Sequence, residues 1–165
     1  MKVVHNLKPV YDKYSKVLIL GSIPSIKSRE LRFYYSHPKN RFWKILALIY
    51  NEETPSNKTD KIRFLAKHNI ALYDVLASCD IKSSSDSSIK NPIPNKLNHI
   101  IKNSKITTIF TTGKKAYDLY QKYCYPETKI QAIYLPSTSP ANCSKNIEEK
   151  LLNSYQQIKE YTEKL

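Results

Sequence analysis

The chain has almost no glycine: Gly21 and Gly113 are the only two in 165 residues. Average usage would supply about a dozen, so a G-x-x-x-x-G-K-S/T phosphate loop and a G-x-G-x-x-G dinucleotide turn are both excluded. With them go the ordinary nucleotide cofactors, and no cofactor is expected. Cysteine is scarce as well. Cys79, Cys124 and Cys143 are odd in number and far apart, which excludes a zinc knuckle or a four-thiolate cluster and leads us to expect reduced thiols in a cytoplasmic protein. His5, His37, His68 and His99 show no metal-ligand spacing, so no metal is expected. A G-x-S-x-G nucleophile elbow is missing. No run approaches the roughly 20 apolar residues of a membrane span, and the opening MKVVHNLKPVYDKY lacks the apolar stretch of a signal peptide, so a soluble protein is expected.

Acidic residues are outnumbered: 27 Lys and Arg stand against 14 Asp and Glu, a net charge of +13. Such a balance attracts polyanions, nucleic acid first among them. A bland reading stands beside it. All the basic residues except Arg29, Arg32, Arg41 and Arg63 are lysines, and with abundant Asn, Ile and Tyr they also fit a compositionally biased genome. The length suits one domain spanning residues 1–165. Although only 41% of residues are hydrophobic, 13 tyrosines and four phenylalanines add apolar area with polar tips.

Four β-branched or aromatic runs read as strands: Val17 to Leu20, Ile70 to Leu76, Ile106 to Phe110 and Ile130 to Leu135. Between and after them, apolar residues recur at helical spacing. They are Phe42 to Tyr50, Ile62 with Leu65, Leu97 to Ile101, Ala116 to Tyr120, and a last stripe of Ile147, Leu151, Tyr155, Ile158 and Tyr161. Alternation of this kind predicts an α/β domain whose parallel sheet is covered on both faces, with the strands' carboxyl ends sharing one rim. Four polar stretches then reach that rim: GSIPSIKS, ASCDIKSSSDSSIKNPIPN, TTGKK and PSTSPANCS. The serine-rich Ser83 to Ser88 is too short to link two domains and reads as a site loop. Both glycines directly follow strand runs, where close backbone approach or a positive φ is most useful.

Residues Ser22 to Lys44 interleave Lys27, Arg29, Arg32, Lys39, Arg41 and Lys44 with Phe33, Tyr34, Tyr35, Phe42 and Trp43, and Glu30 is the only acid among them. Cations for phosphates and aromatic faces for a base are what an unpaired nucleotide requires. Phe42 and Trp43, at the head of a helix, also read as core. Within this stretch, YYSHPKNRFWK resembles the H-P-x-N-R-F-W segment of mismatch-specific glycosylases in the uracil-DNA glycosylase superfamily. LILGSIPS is similar to that superfamily's first motif and LPSTSPANCS to its second. With ALYDVLASCDIKSSSDSSIKNPIPN added, the sequence most resembles the hypoxanthine-DNA glycosylase branch, across essentially residues 17–144.

The resemblance implies a three-layer α/β/α sandwich around a four-stranded parallel sheet. It also implies a monofunctional glycosylase that flips a deaminated base out of double-stranded DNA and hydrolyses its N-glycosidic bond in base excision repair. Many relatives carry Asp or Asn at the third position of the first motif, where this chain has Ile23. In the branch it resembles, the asparagine of H-P-x-N takes over water positioning, which maps onto Asn40. Asn40 also reads as a helix cap. Tyr35 matches the aromatic that stacks on the flipped base, with Gly21, Ser22, Pro24 and Ser25 lining the same pocket, and Tyr34 reads as core. Asp74 matches a base-reading position: as an anion it would accept from the N1–H that hypoxanthine and guanine present and adenine lacks, whereas a protonated form would donate to O6, and a cap or a lysine partner is the alternative. Ser137, Ser139 and Asn142 of the second motif, with Lys39 and Arg41, are the DNA-binding candidates, and Pro140 and Ala141 would approach the gap in the duplex. The histidine and bulky leucine common in that motif are missing, so His37 is a candidate for assisting the leaving base. Asp86, Ser87 and Ser88 have no assigned role. The expected enzyme is a monomer. Rival readings are a uracil or thymine mismatch glycosylase of the same superfamily and a non-catalytic binder of damaged DNA.

Overall fold

The computed structural model describes residues 1–82 and 88–164. Its centre is β2 (Val17–Gly21), every residue of which is buried. Parallel neighbours flank it: β3 (Ile70–Asp74) on one side and β6 (Thr108–Thr112) on the other, with β7 (Ala132–Leu135) beyond β6, giving the order β3-β2-β6-β7. A strand buried on both faces has no polar side to show, and this explains why VLIL reads as a continuous apolar run. Successive side chains still alternate. Val17 and Ile19 join Leu72 and Phe110 in one cluster with residues of α2 (Phe42–Ile49), α3 (Lys58–Lys67) and α7 (Ile147–Thr162), whereas Leu18 and Leu20 join Ala71 and Ile109 in another with residues of α4 (Asn98–Lys102) and α5 (Lys114–Tyr123). Three layers result, as expected, and Phe42 and Trp43 are core, 0% and 4% exposed.

The expected strand Ile70 to Leu76 is in fact two. The chain leaves β3 after Asp74, and the Val75 and Leu76 N–H groups donate to the carbonyls of Gly21 (2.8 Å) and Ser22 (3.0 Å). Asn95 Nδ2 donates to the carbonyls of Asp74 (2.9 Å) and Leu76 (3.0 Å), fixing the bend from the other side. From there β4 (Leu76–Asp80) pairs antiparallel with β1 (Lys2–Val4) and β5 (Lys90–Pro94) in a second, three-stranded sheet. Both ends of the expected second rim stretch are therefore sheet. Two edge strands, one short and one carrying Pro92 and Pro94 with mostly exposed residues, leave little apolar pattern to read. Positions 83–87, including Asp86 and Ser87, lie outside the described residues, while Ser88 Oγ accepts from the Lys82 N–H at 3.3 Å.

A further helix, α1 (Ile26–Leu31), begins within the first rim stretch. Ser25 Oγ accepts from the Ser28 N–H at 3.1 Å, and the helix ends at a left-handed Arg32. Short α6 (Tyr125–Thr128) follows α5. Among the described residues no helix is long and apolar enough to cross a membrane.

Candidate active site

At the carboxyl ends of β2, β3 and β6 the structure opens into a cavity of about 590 Å³. Its walls bring together Gly21, Ser22, Pro24 and Ser25 after β2, Asp74 at the end of β3, and Tyr35 and Asn40 from the segment before α2. Ser137 and Ser139 close it from beyond β7. Lys39 and Arg41 instead line a neighbouring hollow of about 530 Å³, with Lys44 and Lys61, that shares Tyr35, His37 and Asn40 with the first. Burial pushes the pKa of Lys61 down, and its ammonium lies 5.3 Å from the centre of the Trp43 ring.

Asn40 stands one residue before Arg41, the N-cap of α2, and faces the cavity. Its Oδ1 accepts from the Phe42 N–H at 2.9 Å at the head of α2, while the residue also lines the cavity. Because an N–H donor demands an oxygen, this bond fixes which end of the amide is the carbonyl, and an sp² oxygen keeps a second lone pair for another donor such as water.

Tyr35 is held on every side. Its ring stacks on Phe42 with centroids 3.9 Å apart, and its hydroxyl lies 3.2 Å from Thr112 Oγ1. Burial, with the Asp74 charge second, holds its pKa well above the ordinary tyrosine value, so it remains a neutral phenol. Its backbone is left-handed, φ 53°. Tyr34 is core, 3% exposed, with its hydroxyl donating to the Lys8 carbonyl at 2.7 Å.

Asp74 is 4% exposed and pairs with His5 rather than with a lysine: Oδ2 lies 2.9 Å from His5 Nε2. Its other oxygen explains Gly21. A Cβ at position 21 would sit 2.6 Å from Asp74 Oδ1, closer than a carbon and an oxygen can pack, while the register pairs Gly21 directly with Asp74. Glycine is required here for the close approach of a carboxylate. Gly113 serves differently, with φ +90° at the head of α5.

The second motif organises itself. Ser137 Oγ accepts from the Ser139 N–H (3.1 Å), Ser139 Oγ from the Ala141 N–H (3.2 Å), and Asn142 Nδ2 donates to the Ser137 carbonyl (2.9 Å). Arg41 Nη1 donates to the carbonyls of Ser139 (3.0 Å) and Asn142 (3.2 Å), tying this loop to the asparagine-bearing segment. Pro140 and Ala141 line the cavity; Asn142 does not. His37 is exposed at the mouth, its Nδ1 accepting from the Lys39 N–H at 3.0 Å. Among the described residues, no three His, Cys, Asp or Glu side chains cluster as a metal site requires.

Sequence reasoning missed His5, Thr112 and Thr138. Thr138 is 1% exposed, and its carbonyl accepts from the Arg41 N–H at 3.1 Å. Thr112 carried a signal, since it is the last residue of β6, one position before Gly113. His5 carried none, because the second sheet that brings it to Asp74 leaves so little pattern.

The family model of the uracil DNA glycosylase superfamily matches residues 9–165. A protein of Methanosarcina barkeri named hypoxanthine DNA glycosylase is 33% identical over 139 residues, covering 81% of this chain and 85% of its own. A second so named, from Methanosarcina acetivorans, is 33% identical over 147 residues, covering 86% and 90%. The solution NMR structure of a Methanosarcina acetivorans protein assigned to the uracil DNA glycosylases superposes with a TM-score of 0.78 at 28% identity, covering 96% of this chain and 99% of that one. The chain belongs to the uracil DNA glycosylase superfamily and is a DNA glycosylase, so DNA is its substrate.

Proposed function

We propose that this enzyme, acting as a single-domain monomer, excises hypoxanthine from deoxyinosine in double-stranded DNA by base flipping and water attack, without cutting the strand. The observation that carries the reading is the convergence of Asn40 and Asp74 on one cavity, a water-orienting amide and a base-reading carboxylate. The names of the two Methanosarcina relatives agree with it.

Cleaving an N-glycosidic bond builds positive charge on the sugar before water has bonded strongly, so placement of the water matters more than its deprotonation. Asn40 Oδ1, pinned by the Phe42 N–H, supplies that placement and faces the cationic sugar with its dipole. Water bonds to C1′ and gives up a proton to solvent, the C1′–N9 bond breaks, and the base departs with the bonding electrons and takes up a proton from solvent. Tyr35, backed by Phe42, offers a fixed ring for the flipped base. Asp74 accepts from its N1–H. Ser137 and Ser139 contact the flanking phosphates, and Lys39 of the neighbouring hollow holds the backbone beside them, while Lys44 there is paired with Glu148 at 2.9 Å.

The test is incubation with duplexes carrying one deoxyinosine, one deoxyuridine or no lesion, followed by alkali to break abasic sites. Breakage at deoxyinosine supports the reading. Breakage at deoxyuridine alone makes it a uracil enzyme, and none at either leaves a binder of damaged DNA.

A further inference from the structure

His5 is a buried ring at the end of a short edge strand, remote in sequence from every motif, and its side chain is 2% exposed. Two hydrogen bonds fix its state. Its Nδ1 accepts from the Leu7 N–H at 3.2 Å, so that nitrogen carries a lone pair and the proton of the neutral ring sits on Nε2. Nε2 lies 2.9 Å from Asp74 Oδ2, which is therefore an acceptor. The ring is braced edge-on against Tyr73, with centroids 4.9 Å apart, and the His5 N–H donates to the Ala77 carbonyl of β4 at 2.7 Å. The remaining carboxylate oxygen, Oδ1, lies against Gly21 in the cavity wall.

We propose that His5 is a positioning residue that sets the sense of base reading: its Nε2–H holds Asp74 as an acceptor, so the cavity admits bases that present a ring N–H and rejects those that present a ring-nitrogen lone pair. This rests on the reading of Asp74 as the group that meets the base. Deamination of adenine turns N1 from an acceptor into a donor, and a fixed acceptor senses that change directly. A carboxyl without the His5 donor is free to rotate and to hold a proton in a buried site, and a protonated carboxyl also satisfies an acceptor base.

The test compares single-turnover excision from duplexes containing deoxyinosine or deoxynebularine, a purine nucleotide whose N1 is an acceptor, by the full chain and three variants. In His5→Asn the amide oxygen replaces Nδ1 and keeps the Leu7 bond but does not reach Asp74. In His5→Gln the amide nitrogen replaces Nε2. We expect His5→Asn to lose roughly ten- to hundredfold on deoxyinosine and much less on deoxynebularine, narrowing their ratio, and His5→Gln to stay within about threefold of the parent on both. Equal losses on both substrates in both variants would mean a merely structural histidine and overturn the proposal. Parent-like His5 variants beside an inactive Asp74→Asn would overturn it while leaving Asp74 as the reader. A parent-like Asp74→Asn would remove the base-reading role and His5's role with it, and a parent chain that leaves deoxyinosine intact would overturn the proposed function as well.

Discussion

The floor and the rim of the cavity are built by opposite means. The floor joins side chains from separate elements: His5 to Asp74, Tyr35 to Thr112, and Asp74 Oδ1 packed where a Cβ of residue 21 would stand. Each partner is far away in sequence, and the group at the centre is buried and charged. The rim is a local affair, in which Ser137 and Ser139 each cap a backbone N–H two residues on, and Arg41 is the long-range tie. Buried networks specify one geometry, whereas half-buried local hydroxyl turns leave room to adjust. In the function proposed above, a base, which must be told from near-identical bases, meets the floor, and a phosphate backbone, which carries no sequence information, meets the rim.

The largest effect is expected at Asn40, which stands between the two. Asn40→Ala should lower single-turnover excision by about two to three orders of magnitude while leaving the affinity for lesion-bearing duplex nearly unchanged, measured by fluorescence anisotropy. Loss of the bond from the Phe42 N–H should also lower stability by about 1 kcal/mol, read from chemical denaturation. On the floor, Gly21→Ala forces the Asp74 carboxylate aside and should reduce excision by roughly ten- to hundredfold with a stability loss of about 1–3 kcal/mol. Its counterpart, Gly113→Ala, sharpens the contrast. There the φ of +90° is the difficulty and the nearest atom, Ser137 Cβ, is 3.5 Å from the added carbon. It should destabilise by about 1–2 kcal/mol and leave the folded enzyme's excision rate nearly intact. Smallest of all, Ser139→Ala on the rim should weaken duplex binding by about 1 kcal/mol or less, equally for lesion and undamaged DNA.

The parallel sheet was legible because β2 is buried on both faces and leaves a continuous apolar run, while β6 leaves a β-branched and aromatic one. The strand that breaks at Asp74 was not, since the break depends on Asn95 and on carbonyls of the first motif, both distant in sequence. The catalytic candidate was legible in the H-P-x-N spacing and Tyr35 beside it. The reason for Gly21 was only half so: its place after β2 pointed to close approach, and the approaching group in the structure is Asp74 Oδ1. His5 was out of reach, because a three-residue edge strand, β1, brings it beside β4 and carries no pattern a sequence can show.

The most direct measurement uses one duplex carrying a deoxyinosine and a deoxyuridine, with the released bases identified by mass spectrometry over time. Free hypoxanthine appearing from an unbroken strand, well ahead of any uracil, is the predicted result; uracil released first, or no free base at all, would contradict it.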